Sequence, residues 1–335
     1  MKILYLPNEY SQQRQREKKR FIYPVHMAME AEYYRKLGHE VHWGVQPVNQ
    51  ECWAHKYDKV VELIEGIPFN VLPWPDRVFT KAFDPKYQSN GNFKYLPGTY
   101  IQSSSGCWWG KCEFCVEKKN NYVVREVKDV YGEILECKRL GFKEIFDDSS
   151  TLPTGLWLDK LLSLPKPGVT MGCNMRLVDV DYKAMKKWGF RMVLMGIESA
   201  NQGTLDRISK GTKTSDIQWV IKAAEAGLDT HGAFMFGYPW ESKSDAINTL
   251  ELAHELLRKG HLKTAQASFY NPPKDSIVYK VGKYYEQNNP AHKKYVKKLY
   301  DVAYYPDFWI NKLKDIKNFS DVKYLFRQVK EGLGL

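Results

Sequence analysis

The chain has 335 residues, 27% charged and 43% hydrophobic, with a mean hydropathy of −0.52, a balance that excludes a disordered, collagen-like or disulfide-stapled protein. Its length suits two domains, or one large domain with extensions, and its net charge of +11 comes from 50 Lys and Arg against 39 Asp and Glu. No apolar run approaches the roughly 18 residues that span a bilayer, and MKILYLPNEY lacks the apolar core and cleavage site of a secretory signal, so a cytoplasmic protein without a membrane partner is expected.

The chain opens with a strand at Lys2 to Leu6 and a loop holding the basic cluster Arg14 to Arg20. A helix from about Tyr23 to Leu37, stopped by Gly38, leads to the strand HEVHWGV, which makes a βαβ unit with parallel pairing. Residues 45–98 are punctuated by Pro47, Pro68, Pro73, Pro75, Pro85 and Pro97, and read as a partial second unit followed by a linker.

From Thr99 the pattern becomes rhythmic. Strands are expected at TYIQSSS, KEIFDDSS, GVTMGCNMR, FRMVLMGIES, LDTHGAFMFG and LKTAQASFY. Between them lie helices at about Lys128 to Leu140, LWLDKLLSL, DVDYKAMKKW, about Thr214 to Ala226 and about Ser244 to Lys259. Four of these helices stop at Gly141, Gly189, Gly227 and Gly260. Six strands alternating with helices argue for a parallel sheet with helical crossovers, either open or curled into a partial barrel. In such barrels chemistry gathers where strands run into their following loops, the expected places of Cys107, Asp147, Asp148, Arg176, Glu198 and Tyr238.

The last 60 residues, 276–335, hold 12 basic and 6 acidic side chains and eight of the 22 tyrosines. A basic, aromatic tail can track a phosphate backbone and stack bases, so nucleic acid is a candidate partner. The spacing in HKKYVKKLYDVAYY also fits a solvated helical face with tyrosines on its inner side.

Six cysteines in a chain of this kind read as thiols or metal ligands rather than a disulfide framework. Cys107, Cys112 and Cys115 fall on one loop after a strand, whereas Cys52, Cys137 and Cys173 stand alone. Thiolates select zinc, copper(I) or iron–sulfur clusters. A structural zinc wants four closed ligands, and the nearest histidines in sequence are His55 and His231. Three cysteines without a local fourth ligand suit a [4Fe–4S] cluster with one open iron; a zinc site with a distant fourth ligand is the rival.

The cysteine motif resembles that of the radical S-adenosylmethionine (SAM) superfamily, whose hallmark is three close cysteines with an aromatic residue, here Phe114, before the last. The family spacing is C-x3-C-x2-C, and this chain has one more residue in the first gap, with Trp108 and Trp109 inside it. MKKWGFRMVLMGIESANQGTLDRISKG is similar to the ribose-binding strand and helix of the branch with cobalamin-type and methylthiolating members. That likeness implies Glu198 and Ser199 beside the ribose and Lys210 at the methionine carboxylate. KEIFDDSST resembles the second strand, which puts Asp147 or Asp148 near the methionine ammonium; GAFMFGYPWES resembles the fifth, with backbone around Phe236 and Gly237 facing adenine. SFYNPPKDSIVY resembles the end of the sixth, with Pro273-Lys274-Asp275 where Pro-Gly-Thr is common. Arg176, at the mouth of the third strand, is a further cofactor-binding candidate.

The likeness covers about residues 99–280. It implies a partial (β/α)6 TIM-type barrel over 96–275, a reduced Rossmann-like domain over 1–95 and a basic helical extension over 276–335. The activity implied is one-electron cleavage of SAM to a 5′-deoxyadenosyl radical that takes hydrogen from a substrate, with a flavodoxin- or ferredoxin-like electron donor. FIYPVHMAMEAEYYRKLGHEVHWG resembles the start of a cobalamin-binding domain. The D-x-H-x-x-G motif is absent and the region is short, so cobalamin is not favoured, and a cobalamin-dependent methyltransferase is the alternative enzyme. A zinc-stabilised nucleic-acid-binding module is the non-catalytic alternative.

Each role has a structural rival. Asp147 and Asp148 suit a turn cap, Gly196 close packing and Lys210 a solvated helix end. Glu198, at the end of an apolar strand, needs a partner. Cys173 is either a packing thiol or a cavity-facing hydrogen-atom donor.

Overall fold

The computed structural model describes residues 1–6, 22–44, 57–61, 66–88, 92–115, 117, 122–270, 292 and 294–332. The cluster Arg14 to Arg20, Cys52 and Pro273-Lys274-Asp275 lie outside these residues. Strand β1 (Lys2–Tyr5), helix α1 (Val25–Lys36) and strand β2 (Glu40–Trp43) form the expected βαβ unit. The helix begins two residues later than read because Tyr23 precedes Pro24, and a residue before proline is biased away from helix. Strand β3 (Lys59–Val61) pairs on the other side, so β1 is the centre of a parallel sheet of order β2-β1-β3.

In chain order there follow β4 (Gly98–Ile101), β5 (Ser104–Ser105), β6 (Val123–Val124), α2 (Val127–Arg139), β7 (Glu144–Asp147), α3 (Leu156–Ser163), β8 (Thr170–Met175), α4 (Tyr182–Trp188) and β9 (Phe190–Glu198). Next come α5 (Gln202–Arg207), α6 (Ile217–Glu225), β10 (Asp229–Phe236), α7 (Lys243–Arg258) and β11 (Thr264–Phe269). Six of these strands form one parallel sheet of order β11-β10-β9-β8-β7-β4, and each successive pair is joined through helix. Every strand lies beside its sequence neighbour and β11 does not close onto β4, which makes a partial (β/α)6 barrel. Strands β4 and β7 are buried throughout, whereas β11 is the half-exposed edge.

The segment read as the single strand TYIQSSS is two. The amides of Ser103 and Ser104 turn to Ser149 Oγ, each at 2.9 Å, which takes the chain out of the parallel ladder after Ile101. Ser104–Ser105 then pairs antiparallel with β6, so the cysteine loop is bracketed at both ends. Helix α7 starts at Lys243 because Ser242 and Asp245 form a reciprocal capping box.

Part of the expected linker is packed into the flank of the barrel. Arg77 is buried and donates to Glu133 of α2 at 2.6 Å and to the Tyr100 carbonyl at 2.8 Å, while Arg125 takes the other Glu133 oxygen at 2.6 Å. Removing one partner from such a buried network costs more than the whole network contributes, because a charge is left uncompensated. The buried apolar side chains of both sheets form one continuous core running from Ile3 to Val302. A second, small cluster of Leu205, Ile208, Tyr238 and Tyr270 lies beside the cysteine loop, with Phe114 packed on it.

The C-terminal region holds α8 (Lys294–Lys298), α9 (Pro306–Lys314) and α10 (Phe319–Gly332). Tyr295 and Leu299 are buried while Lys294, Lys297 and Lys298 are exposed, the arrangement of a solvated helical face with tyrosine inside. Tyr295 stacks on Phe236 with ring centroids 6.1 Å apart. No helix among the described residues is long and apolar enough to cross a membrane.

Candidate active site

The residues singled out from sequence collect at the C-terminal ends of the parallel strands, the end where barrel chemistry is found. Asp147 and Asp148 end β7, Arg176 follows β8, Glu198 ends β9, Gly237 follows β10, and the cysteine loop leaves β5.

Glu198 and Lys210 form a buried ion pair, Lys210 Nζ to Glu198 Oε1 at 2.8 Å. The backbone is bent to make it. Glu198 has φ +68° and Ser199 N donates to the Ile197 carbonyl at 2.9 Å, a tight turn that a side-chain-bearing residue adopts only under constraint. Gly196 leaves the pair its space: a Cβ there would press on the ends of the Glu198 and Lys210 side chains and displace them. Lys210 Nζ also lies 5.6 Å from the centre of the Phe114 ring.

The cysteine loop is pinned to this pair. Glu113 N donates to the Ile208 carbonyl at 2.9 Å and Trp109 Nε1 to the Ser209 carbonyl at 2.8 Å. Gly211, at φ +65°, leaves room for the Trp109 ring, whose nearest atom would be 2.0 Å from any Cβ. Arg176 completes the clamp: its guanidinium lies 5.2 Å from the Trp108 ring and 5.0 Å from the Trp109 ring, Nη2 donates to the Lys210 carbonyl, and Nη1 lies 3.8 Å from Cys112 Sγ. Trp108, Trp109 and Arg176 thus act together; the tryptophan pair and Arg176 were each singled out from sequence, but not their pairing.

Burial pushes the Cys112 thiol up, while Lys210 and Arg176 pull against that shift without cancelling it. Burial also raises Cys115; a hydrogen bond from Glu117 N–H opposes, and the charges of Cys112, Glu117 and Cys107 add to the rise. Cys115 therefore lies within electrostatic reach of both Cys112 and Cys107. Among the described residues no group of three or more His, Cys, Asp or Glu converges as a single-ion site. A [4Fe–4S] cluster takes one thiolate per iron, so its ligands ring a cube instead of converging on one ion. The donor set fits such a cluster: three soft thiols on one bracketed loop, with Lys210 and Arg176 beside Cys112 opposing the burial that favours its neutral form. Two buried polar atoms near Cys112, Arg176 Nε and the Tyr238 hydroxyl, have no hydrogen-bond partner among the described residues, as expected of walls that face a polar cofactor.

The two aspartates divide their work. Asp147 accepts from Ser149 N at 3.0 Å, Ser149 Oγ at 2.6 Å and Ser103 N at 3.3 Å, so it caps the turn; burial nevertheless raises its pKa. Burial, then the charge of Asp147, push Asp148 up to about 7 against a hydrogen bond with Asn174; no cation meets it among the described residues. Ser199 Oγ accepts from Asn201 N at 3.1 Å and lies 3.3 Å from Thr249 Oγ1, tying the end of β9 to α7.

Phe236 is buried in the main core, its carbonyl accepting from Tyr270 N at 2.8 Å. The Gly237 amide donates to Glu241 Oε2 at 2.7 Å, an atom that also lies 3.0 Å from His292 Nδ1. Burial pushes Glu241 up to about 7. Cys173 is 0% exposed and packs in the main core, paired across the sheet with Asp147 among the candidates; burial, with Asp147 adding, raises its pKa well above the ordinary thiol value. Cys137 is buried within α2.

Residues 101–253 match the family model of the Radical SAM superfamily. This segment is similar to the radical SAM domains of a family that uses a [4Fe–4S] cluster and SAM. The match supports an enzyme over a non-catalytic zinc module. An uncharacterized methyltransferase of Pyrococcus horikoshii is 30% identical over 186 residues, which make up 51% of this chain and 39% of that protein. The chain thus spans well under half of that relative. TsrM of Kitasatospora setae, a radical SAM methyltransferase solved with tryptophan and a SAM analogue, is 17% identical with a TM-score of 0.47, covering 59% of this chain and 38% of that one. Coproporphyrinogen III oxidase (HemN) of Escherichia coli is 15% identical with a TM-score of 0.47, covering 69% of this chain and 56% of that one.

Proposed function

We propose that Cys107, Cys112 and Cys115 ligate the cluster and that SAM sits between the cysteine loop and the ends of β7, β9 and β10. When bound, the cluster supplies one electron to the sulfonium of SAM, giving methionine and a 5′-deoxyadenosyl radical that takes hydrogen from a substrate. The chain's own residues do the positioning. Lys210 turns from Glu198 to the methionine carboxylate, a charge-assisted pair. Glu198, released, accepts from the ribose hydroxyls, and Asp148, raised to about 7 and met by no cation among the described residues, accepts from the methionine ammonium. Arg176 and the two tryptophans hold the loop shut. Cys173 serves packing in this reading. Residues 96–275 form the catalytic unit, 1–95 a Rossmann-like platform and 276–335 an extension.

The observation that carries the proposal is the attachment of the cysteine loop to the buried Glu198–Lys210 pair through Arg176, Trp109 and Phe114. Anaerobic reconstitution, reduction in the presence of SAM and measurement of 5′-deoxyadenosine test it. Product is expected from the native chain and none from Cys112→Ala; equal product from both refutes the ligand assignment.

Methyl transfer is a second reading, favoured by the name of the Pyrococcus relative. Cobalamin supplied during expression then yields a corrinoid spectrum in the purified protein, and its absence returns the reading to hydrogen abstraction alone. The exposed Lys294, Lys297 and Lys298 favour a polyanionic or nucleotide-linked substrate. Polynucleotide affinity that does not change with salt refutes that part.

A further inference from the structure

One buried phenol is left unused by this reading. Tyr238 is fully buried, stacked on Trp240 with centroids 5.5 Å apart and tilted on Tyr270 at 4.8 Å. It belongs to the small apolar cluster on which Phe114 rests, one residue on from the Gly237 amide that Glu241 holds. Among the described residues its hydroxyl has no hydrogen-bond partner, although Tyr238 senses the charges of Glu198, Glu241 and Cys112. Burial, with those neighbours adding, raises its pKa well above the ordinary phenol value, so the group stays protonated and offers a proton. Phenylalanine would fill the same space without stranding a hydroxyl.

We propose that the Tyr238 hydroxyl donates a hydrogen bond to an anionic acceptor of the bound cofactors, either a cluster sulfur or the SAM carboxylate. Tyr238 is then a positioning residue that also sets how readily the cluster is reduced, since hydrogen bonds to cluster sulfurs raise its potential. This rests on the site reading given above.

Tyr238→Phe in the full chain tests it, with Tyr270→Phe as a packing control. Both variants and the native chain are reconstituted anaerobically and assayed for iron and sulfide. SAM affinity is measured by equilibrium dialysis, and cluster potential by redox titration without SAM, followed by electron paramagnetic resonance. A native chain that takes up no iron–sulfur cluster refutes the site reading itself. With the native chain loaded, Tyr238→Phe is expected to load equally. A SAM carboxylate acceptor predicts SAM binding about tenfold weaker at unchanged potential. A sulfur acceptor predicts a more negative potential already without SAM. Unchanged affinity and potential overturn the inference, as does the same change in Tyr270→Phe.

Discussion

Lys210→Met strands the Glu198 carboxylate in a buried turn whose backbone is already strained. Breaking a buried pair from one side costs about 3–5 kcal/mol, because the remaining charge keeps its desolvation penalty and loses its attraction. Unfolding entropy of about 2.1 cal/mol/K per residue over 335 residues comes to about 0.7 kcal/mol/K, so Tm of the cofactor-free protein falls by about 4–7 °C. The double variant Glu198→Gln with Lys210→Met removes both charges, so most of that loss returns, to within about 1–2 kcal/mol of the native chain. Calorimetry of the three proteins decides. A shift below about 1 °C in Lys210→Met, or a double variant as unstable as Lys210→Met, refutes the view that an uncompensated charge is what the pair prevents.

Asp148 and Glu241 are both raised to about 7 by burial, so the folded chain keeps protons that the unfolded chain has released. Stability of the cofactor-free protein therefore falls as pH climbs from about 4 through 7, and Asp148→Asn removes its share of that slope in denaturant midpoints measured at pH 5 and 8. Gly211→Ala drives a methyl into Trp109, and iron bound after reconstitution is expected to drop severalfold; Gly203→Ala, with open space around its Cβ in α5, keeps full iron and gains up to about 1 kcal/mol. Cys137→Ala and Cys173→Ala keep the native iron content, whereas alanine at Cys107, Cys112 or Cys115 lowers it; iron loss in Cys173→Ala restores a cofactor role to that thiol.

The strand and helix alternation was legible because its punctuation is local. Gly141 and Gly260 take φ of +97° and +77° just past their helices, a conformation that glycine adopts without a Cβ clash. Glu198 was legible as a carboxylate needing a partner, but the pairing with Lys210 depends on a positive φ that no propensity announces. The splitting of TYIQSSS was hidden for a different reason: its cause is Ser149, some 45 residues onward, in the next strand's loop. Arg77 falls in the stretch read as a partial unit and linker, and only the fold shows Glu133 waiting for it inside α2. Nor does spacing reveal Arg176 against the two tryptophans, since the arginine and the tryptophan pair come from different strand–loop units and meet only when the sheet forms.

The C-terminal helices touch the barrel where the cofactor is proposed to lie. Tyr295 leans on Phe236, and His292 shares with the Gly237 amide a single carboxylate oxygen of Glu241. A tail shortened before His292 would uncouple that strand tip from its brace, so trimming an apparently peripheral appendage would register in nucleoside recognition. Evolution can therefore retune the pocket from outside it, by editing residues that never meet the ligand.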